Sequence, residues 1–86
     1  MEDSKLTLNS FCQLSENHRT KYTWLYGNLL ATQTASEYSY HLYLVDGFYV
    51  ELVFDRRVRE IISIDPLLRT ENLLKYLDEV SIDVLL

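Results

Sequence analysis

The stretch Tyr38-Ser39-Tyr40-His41-Leu42-Tyr43-Leu44-Val45-Asp46-Gly47-Phe48-Tyr49-Val50-Glu51-Leu52-Val53-Phe54 decides how this chain folds. Its two arms alternate apolar with polar or amphipathic side chains and are rich in β-formers. That is the period-2 pattern of a strand with one face toward a core. Asp46-Gly47 between the arms is a strong hairpin turn, because tight turns that match strand twist need residues tolerant of positive φ.

The pairing register follows from which face the core claims, since a one-residue slip moves a whole set of side chains across the sheet. A two-residue loop, Asp46-Gly47, pairs Val45 with Phe48. Phe48, Val50, Leu52 and Phe54 then share a face with Ser39, His41 and Tyr43, while Glu51 joins Leu42 and Leu44. Both faces are mixed. A three-residue loop, Val45-Asp46-Gly47, pairs Leu44 with Phe48 and puts Gly47 in the left-handed bulge position. One face then reads Tyr38, Tyr40, Leu42, Leu44, Phe48, Val50, Leu52 and Phe54, and the other Ser39, His41, Tyr43, Tyr49, Glu51 and Val53. The cleaner core face makes the three-residue loop the expectation.

Upstream of the hairpin, residues 1–30 read as two helical pieces. Leu6, Leu8, Phe11 and Leu14 recur at a loose helical spacing. Ser15 reads as an N-cap with Glu16 favourable in the first turn, opening a helix over residues 16–26. Tyr22, Leu25 and Tyr26 fall at i, i+3 and i+4, with Trp24 off that line. Gly27 reads as a left-handed stop. Asn28 to Thr34 is a first strand and Ala35-Ser36-Glu37 its turn.

Downstream, Asp55-Arg56-Arg57 makes a turn and Arg59 to Ile64 a fourth strand. Ile61, Ile62 and Ile64 do not alternate, which calls for a bulge or for burial on both faces. Asp65-Pro66 ends the strand. Thr70 caps a last helix, in which Leu73, Leu74, Leu77 and Val80 form an amphipathic stripe. Ile82 to Leu86 is apolar enough to dock on the body. The expected architecture is α+β: two N-terminal helices, a four-stranded antiparallel meander, and a C-terminal amphipathic helix on one sheet face, in a single domain spanning 1–86.

Three segments resemble a group of small uncharacterised bacterial α+β proteins of similar length. They are Trp24-Leu25-Tyr26-Gly27-Asn28-Leu29-Leu30-Ala31, Leu42 to Glu51, and Leu74-Lys75-Tyr76-Leu77-Asp78-x-Val80 as a spacing pattern. The shared features are strand and helix patterns rather than chemistry. The resemblance therefore implies a fold and no activity.

Composition excludes several function classes. The net charge of −5 is uneven, −1 over residues 1–43 and −4 over residues 44–86. A nucleic-acid or anionic-membrane partner needs a basic stripe, so neither is expected. Cys12 is the only cysteine, which rules out an internal disulfide. The acidic start has no apolar run behind it, and no stretch approaches the roughly 20 residues of a membrane span, so a cytoplasmic protein is expected. With two glycines in the chain, there is no glycine-rich phosphate loop.

The chemistry-bearing residues are few. In the expected register His41 sits opposite Glu51, an arrangement of an acid/base pair or of an ordinary cross-strand surface pair. Tyr43 and Tyr49 sit opposite each other beside it. With Val53 they make an amphipathic outer face of the kind used in protein binding, unless a helix covers it. His18 lies in a polar helix run. Cys12, between Phe11 and Leu14, reads as a buried structural thiol. His18, His41 and Cys12 lack metal-ligand spacing, so no metal or cofactor is expected. Arg56, Arg57 and Arg59 read as a solvated turn.

The leading expectation is a non-enzymatic interaction module binding a protein partner or a second copy of itself through His41, Tyr43, Tyr49, Glu51 and Val53. A small enzyme or ligand binder using His41 and Glu51 is the alternative. An acidic inhibitor or immunity-type protein covering a basic partner is a third reading.

Overall fold

The computed structural model describes residues 5–76. Their order is α1 (Leu8–Cys12), α2 (Glu16–Tyr26), β1 (Asn28–Ala35), β2 (Tyr38–Val45), β3 (Phe48–Asp55), β4 (Glu60–Pro66) and a 3-10 helix, Thr70–Tyr76. The strands form one antiparallel sheet in the order β1-β2-β3-β4, so the chain is α+β with a meander at its centre.

The helix starts follow local chemistry. The Thr7 side chain accepts the Ser10 N–H at 3.0 Å and Ser15 accepts the His18 N–H at 3.2 Å, each satisfying an orphan donor of a first turn. Arg19 then joins the helical region to β4. Its Nε donates to the Ile64 carbonyl at 2.9 Å and its Nη1 to the Leu14 carbonyl at 2.7 Å.

The register expectation is overturned. Val45 pairs with Phe48 across a two-residue loop, His41 pairs with Leu52, Leu42 with Glu51, and Tyr43 with Val50. Asp46 and Gly47 have φ of 48° and 93°, the positive pair that a type I′ turn requires. The mixed faces that argued against this register have a physical cause: both faces carry part of the core. Phe11 packs with Val45, Val50, Leu52 and Ile64 on one face, under α1 and α2. Ala31 and Leu42 pack with Leu73 and Tyr76 of the 3-10 helix on the other.

The C-terminal expectation is also revised. The described residues end in a 3-10 helix over Thr70–Tyr76, on the face opposite α1 and α2. Leu77 and Val80, the second half of the expected stripe, and Ile82 to Leu86 lie outside the described residues. The irregular isoleucines are explained by a bulge: Val53 pairs with Ser63 and Phe54 with Ile61, which leaves Ile62 as the extra residue.

Of the expected Tyr22, Leu25 and Tyr26 on the inner face of α2, Tyr22 alone packs against the core. The buried residues of α2 are Thr20 and Thr23, while Leu25 and Tyr26 are exposed. Gly27 is not left-handed either, with φ −89° and ψ 158°. A Cβ there would lie 2.6 Å from the Thr23 carbonyl oxygen and 2.9 Å from Val45 Cγ2. Glycine is required by space, not by the sign of φ. Small side chains on its inner side let the helix end approach the sheet closely, and the large ones are left outside.

Candidate docking site

The helices cover only part of their sheet face. Where α2 ends, Trp24 overhangs an apolar cleft of about 210 Å³, lined by His41, Tyr43, Leu52, Phe54 and Ile61. All five strand residues belong to the α1/α2 face: His41 is paired with Leu52, Tyr43 with Val50, and Phe54 with Ile61. A ring-sized group fits this volume, since a cavity of about 150 Å³ holds benzene. A drug-sized ligand does not, because such pockets run to about 300–1,000 Å³.

Exposed apolar side chains flank the cleft residues in sequence and in the ladder. Trp24 is 58% exposed, Leu25 73% and Leu29 54%. Leu29 lies opposite Tyr43 in the β1–β2 ladder, so it stands on the same face as the cleft.

The polar groups of the cleft are held from within the sheet. His41 Nε2 lies 3.1 Å from Ser39 Oγ and Nδ1 3.5 Å from Thr32 Oγ1. Either neutral tautomer satisfies both contacts, because each hydroxyl can donate or accept. Partial burial holds the imidazole pKa below its ordinary value. Burial raises the Tyr43 pKa, opposed by a hydrogen bond from Trp24.

Ser39, His41 and Thr32 have the connectivity of a nucleophile, a base and an orienting group. Ser39 is buried and is not part of the cleft lining, so a substrate carbonyl has no approach to its oxygen. Among the described residues no group of three or more His, Cys, Asp or Glu side chains is placed to hold a metal ion. No described helix is long and apolar enough to cross a membrane.

The five residues singled out from the sequence do not form one site. His41 and Tyr43 line the cleft. Glu51, Tyr49 and Val53 belong to the other face, paired with Leu42, Leu44 and Tyr40. The sheet therefore separates His41 from Glu51, and the expected acid/base pair does not meet. Glu51 instead accepts a hydrogen bond from the Tyr76 hydroxyl at 2.7 Å and an ion pair from Lys75 at 2.8 Å. It anchors the 3-10 helix. Tyr49 packs on the Ala31, Leu42, Leu73 and Tyr76 cluster. Cys12 is exposed rather than buried, because Phe11 takes the inward position of α1.

Trp24, Leu25 and Leu29 were not among the residues expected to bind. One signal in the sequence pointed to them. Thr20, Thr23 and Gly27 recur at helical spacing and can form a close-packing small-residue face, which turns Trp24 and Leu25 outward.

Comparison with protein-family models, with curated proteins and with solved structures finds no match.

Proposed function

We propose that this chain is a cytoplasmic protein-interaction module whose docking surface is the Trp24 cleft and the exposed apolar side chains that flank it. One observation carries the reading: α2 turns threonines inward and its largest apolar side chains outward, over a cleft of side-chain size. Protein interfaces concentrate their affinity in a few aromatic or aliphatic anchors seated in such pockets, with tryptophan and tyrosine enriched around them. A partner inserts one apolar side chain between Trp24 and the strand residues, and Leu25 and Leu29 close the contact against water.

The enzyme alternative loses its reacting pair, since His41 and Glu51 stand on opposite faces. Cover of a basic partner by the acidic second half has no specific contact to support it.

Selection of a random short-peptide library on the immobilised protein tests the docking reading. The expected result is enrichment of peptides with an aromatic or large aliphatic anchor, which bind the parent and not a folded Trp24→Ala variant. No enrichment, or equal binding to Trp24→Ala, would overturn it.

A further inference from the structure

We propose that His41 makes occupancy of the cleft depend on pH: an apolar group enters while the imidazole is neutral and leaves when the ring takes up a second proton. This rests on the docking reading above and adds the regulation of that same site.

The geometry places one switchable polar group in an apolar wall. His41 lines the cleft with Trp24, Tyr43, Leu52, Phe54 and Ile61. Of these side chains only a histidine changes charge between about pH 5 and 8. Tyr43 stays neutral there, since burial raises its pKa. The ring is held by hydroxyls of its own strand and of β1. Ser39 Oγ stands 3.1 Å from Nε2, and Thr32 Oγ1 3.5 Å from Nδ1. In the imidazolium both nitrogens donate, and both hydroxyls can accept. The charged ring therefore forms by hydroxyl rotation, with no change in strand pairing.

Among the described residues, no carboxylate is placed to neutralise that cation. His41 is paired with Thr32 of β1 and Leu52 of β3, neither of them ionisable. The same row ends at Ile64 of β4, where Arg19 of α2 donates to the Ile64 carbonyl and pairs with Asp65 at 3.9 Å. That position is about 10 Å from His41, two strand spacings away. Glu16, His18 and Lys21 of α2 are exposed, and α1 carries no charged residue. Asp46 is engaged at the hairpin end by Tyr22 and Leu6. Glu37, Arg56, Arg57 and Arg59 lie in the turns at the other end, and Glu51 and Asp55 belong to the opposite face. Burial alone lowers the His41 pKa, and neither an acid nor a cation adds to the shift.

Linkage fixes the sign. His41 is only partly buried in the free protein, and an apolar occupant removes water from the rest of the ring. Desolvation disfavours the charged form, so the occupied protein takes up the proton less readily than the free one. Affinity is full above the free-protein pKa and falls as pH drops below it. One titrating group limits the fall to about tenfold per pH unit, until the occupied form titrates as well. The free value lies below the ordinary 6.5 of histidine, so the window is mildly acidic.

The test uses the full chain and a synthetic peptide with one central phenylalanine, serine flanks and blocked ends, so that pH acts on the protein alone. Trp24 is the only tryptophan, and its emission reports occupancy of the cleft. Circular dichroism at each pH restricts the comparison to folded protein. The expected affinity is level from about pH 8 to 7 and falls severalfold or more by about pH 5. His41→Gln is read for its slope with pH, whatever its affinity at neutral pH, and the slope is expected to vanish. Imidazole NMR titration of the parent chain gives the same answer without a variant: the peptide should lower the His41 pKa, with the exposed His18 as internal reference. A level affinity in the parent, an equal fall in His41→Gln, or a His41 titration unmoved by peptide overturns the inference and leaves the docking reading intact. No binding at any pH overturns both.

Discussion

Gly27 and Val45 approach so closely that a Cβ on the glycine would lie 2.9 Å from Val45 Cγ2. Real Cβ atoms do not make such contacts, so the end of α2 reaches the sheet at this point only because its C-cap residue has no side chain. The same approach leaves Leu25 exposed and Trp24 half-exposed over the cleft. The packing of one glycine thus determines what the surface offers.

Gly27→Ala is expected to cost about 1–3 kcal/mol, the range for overpacking a fitted contact. The loss should appear as a lower urea midpoint at unchanged slope. An unchanged midpoint would mean that α2 does not lie this near β2.

Thr23 is fully buried, and its Oγ1 has no hydrogen-bond partner among the described residues. Thr23→Val keeps the branched shape and removes the unsatisfied hydroxyl. It should stabilise the fold by about 1 kcal/mol. A destabilised variant would show that the hydroxyl has a partner.

Tyr22 joins the helical region to the hairpin turn. Its hydroxyl donates to the Asp46 carboxylate, and the Leu6 N–H reaches both groups. Tyr22→Phe should cost about 1.5–3 kcal/mol, as loss of a hydrogen bond to a charged group does. Desolvation, and then the Asp46 hydrogen bond, raise the Tyr22 pKa. The unfolded chain therefore releases this proton first. The contribution is complete below about pH 10 and is lost as pH rises through the folded value. The difference in stability between parent and Tyr22→Phe should shrink at alkaline pH.

His41 has the opposite sign. Burial lowers its pKa, so the unfolded chain takes up the proton first as pH falls. Its contribution is complete above about pH 6.5 and declines through the folded value. Stability curves of the parent and His41→Gln should converge as pH is lowered from neutrality. Parallel curves over that range would show that His41 titrates equally in both states.

The elements were largely legible in the sequence. Ser15 as a cap, the helix over 16–26 and the strand run follow from local rules, while the isoleucine spacing left a bulge and burial on both faces open until the pairing of β3 with β4 decided it. The register was not legible, because the assumption of a single core face favoured the wrong loop. A strand pattern records which residues are buried, not how many layers bury them. Leu73 and Tyr76 arrive from the end of the described chain to cover Leu42, and nothing within residues 38–54 announces them. The candidate site suffered for the same reason. His41 and Tyr43 were expected on an open outer face and line the cleft instead, while Glu51, Tyr49 and Val53, grouped with them through the rejected register, lie on the other face.

Trp24 emission before and after saturation with the tightest library peptide tests the central claim most directly. The account predicts a shift to shorter wavelength and weaker acrylamide quenching, saturating at one peptide per chain. Saturable binding with unchanged Trp24 emission and quenching would contradict it, as would a Trp24 already shielded in the dilute free protein.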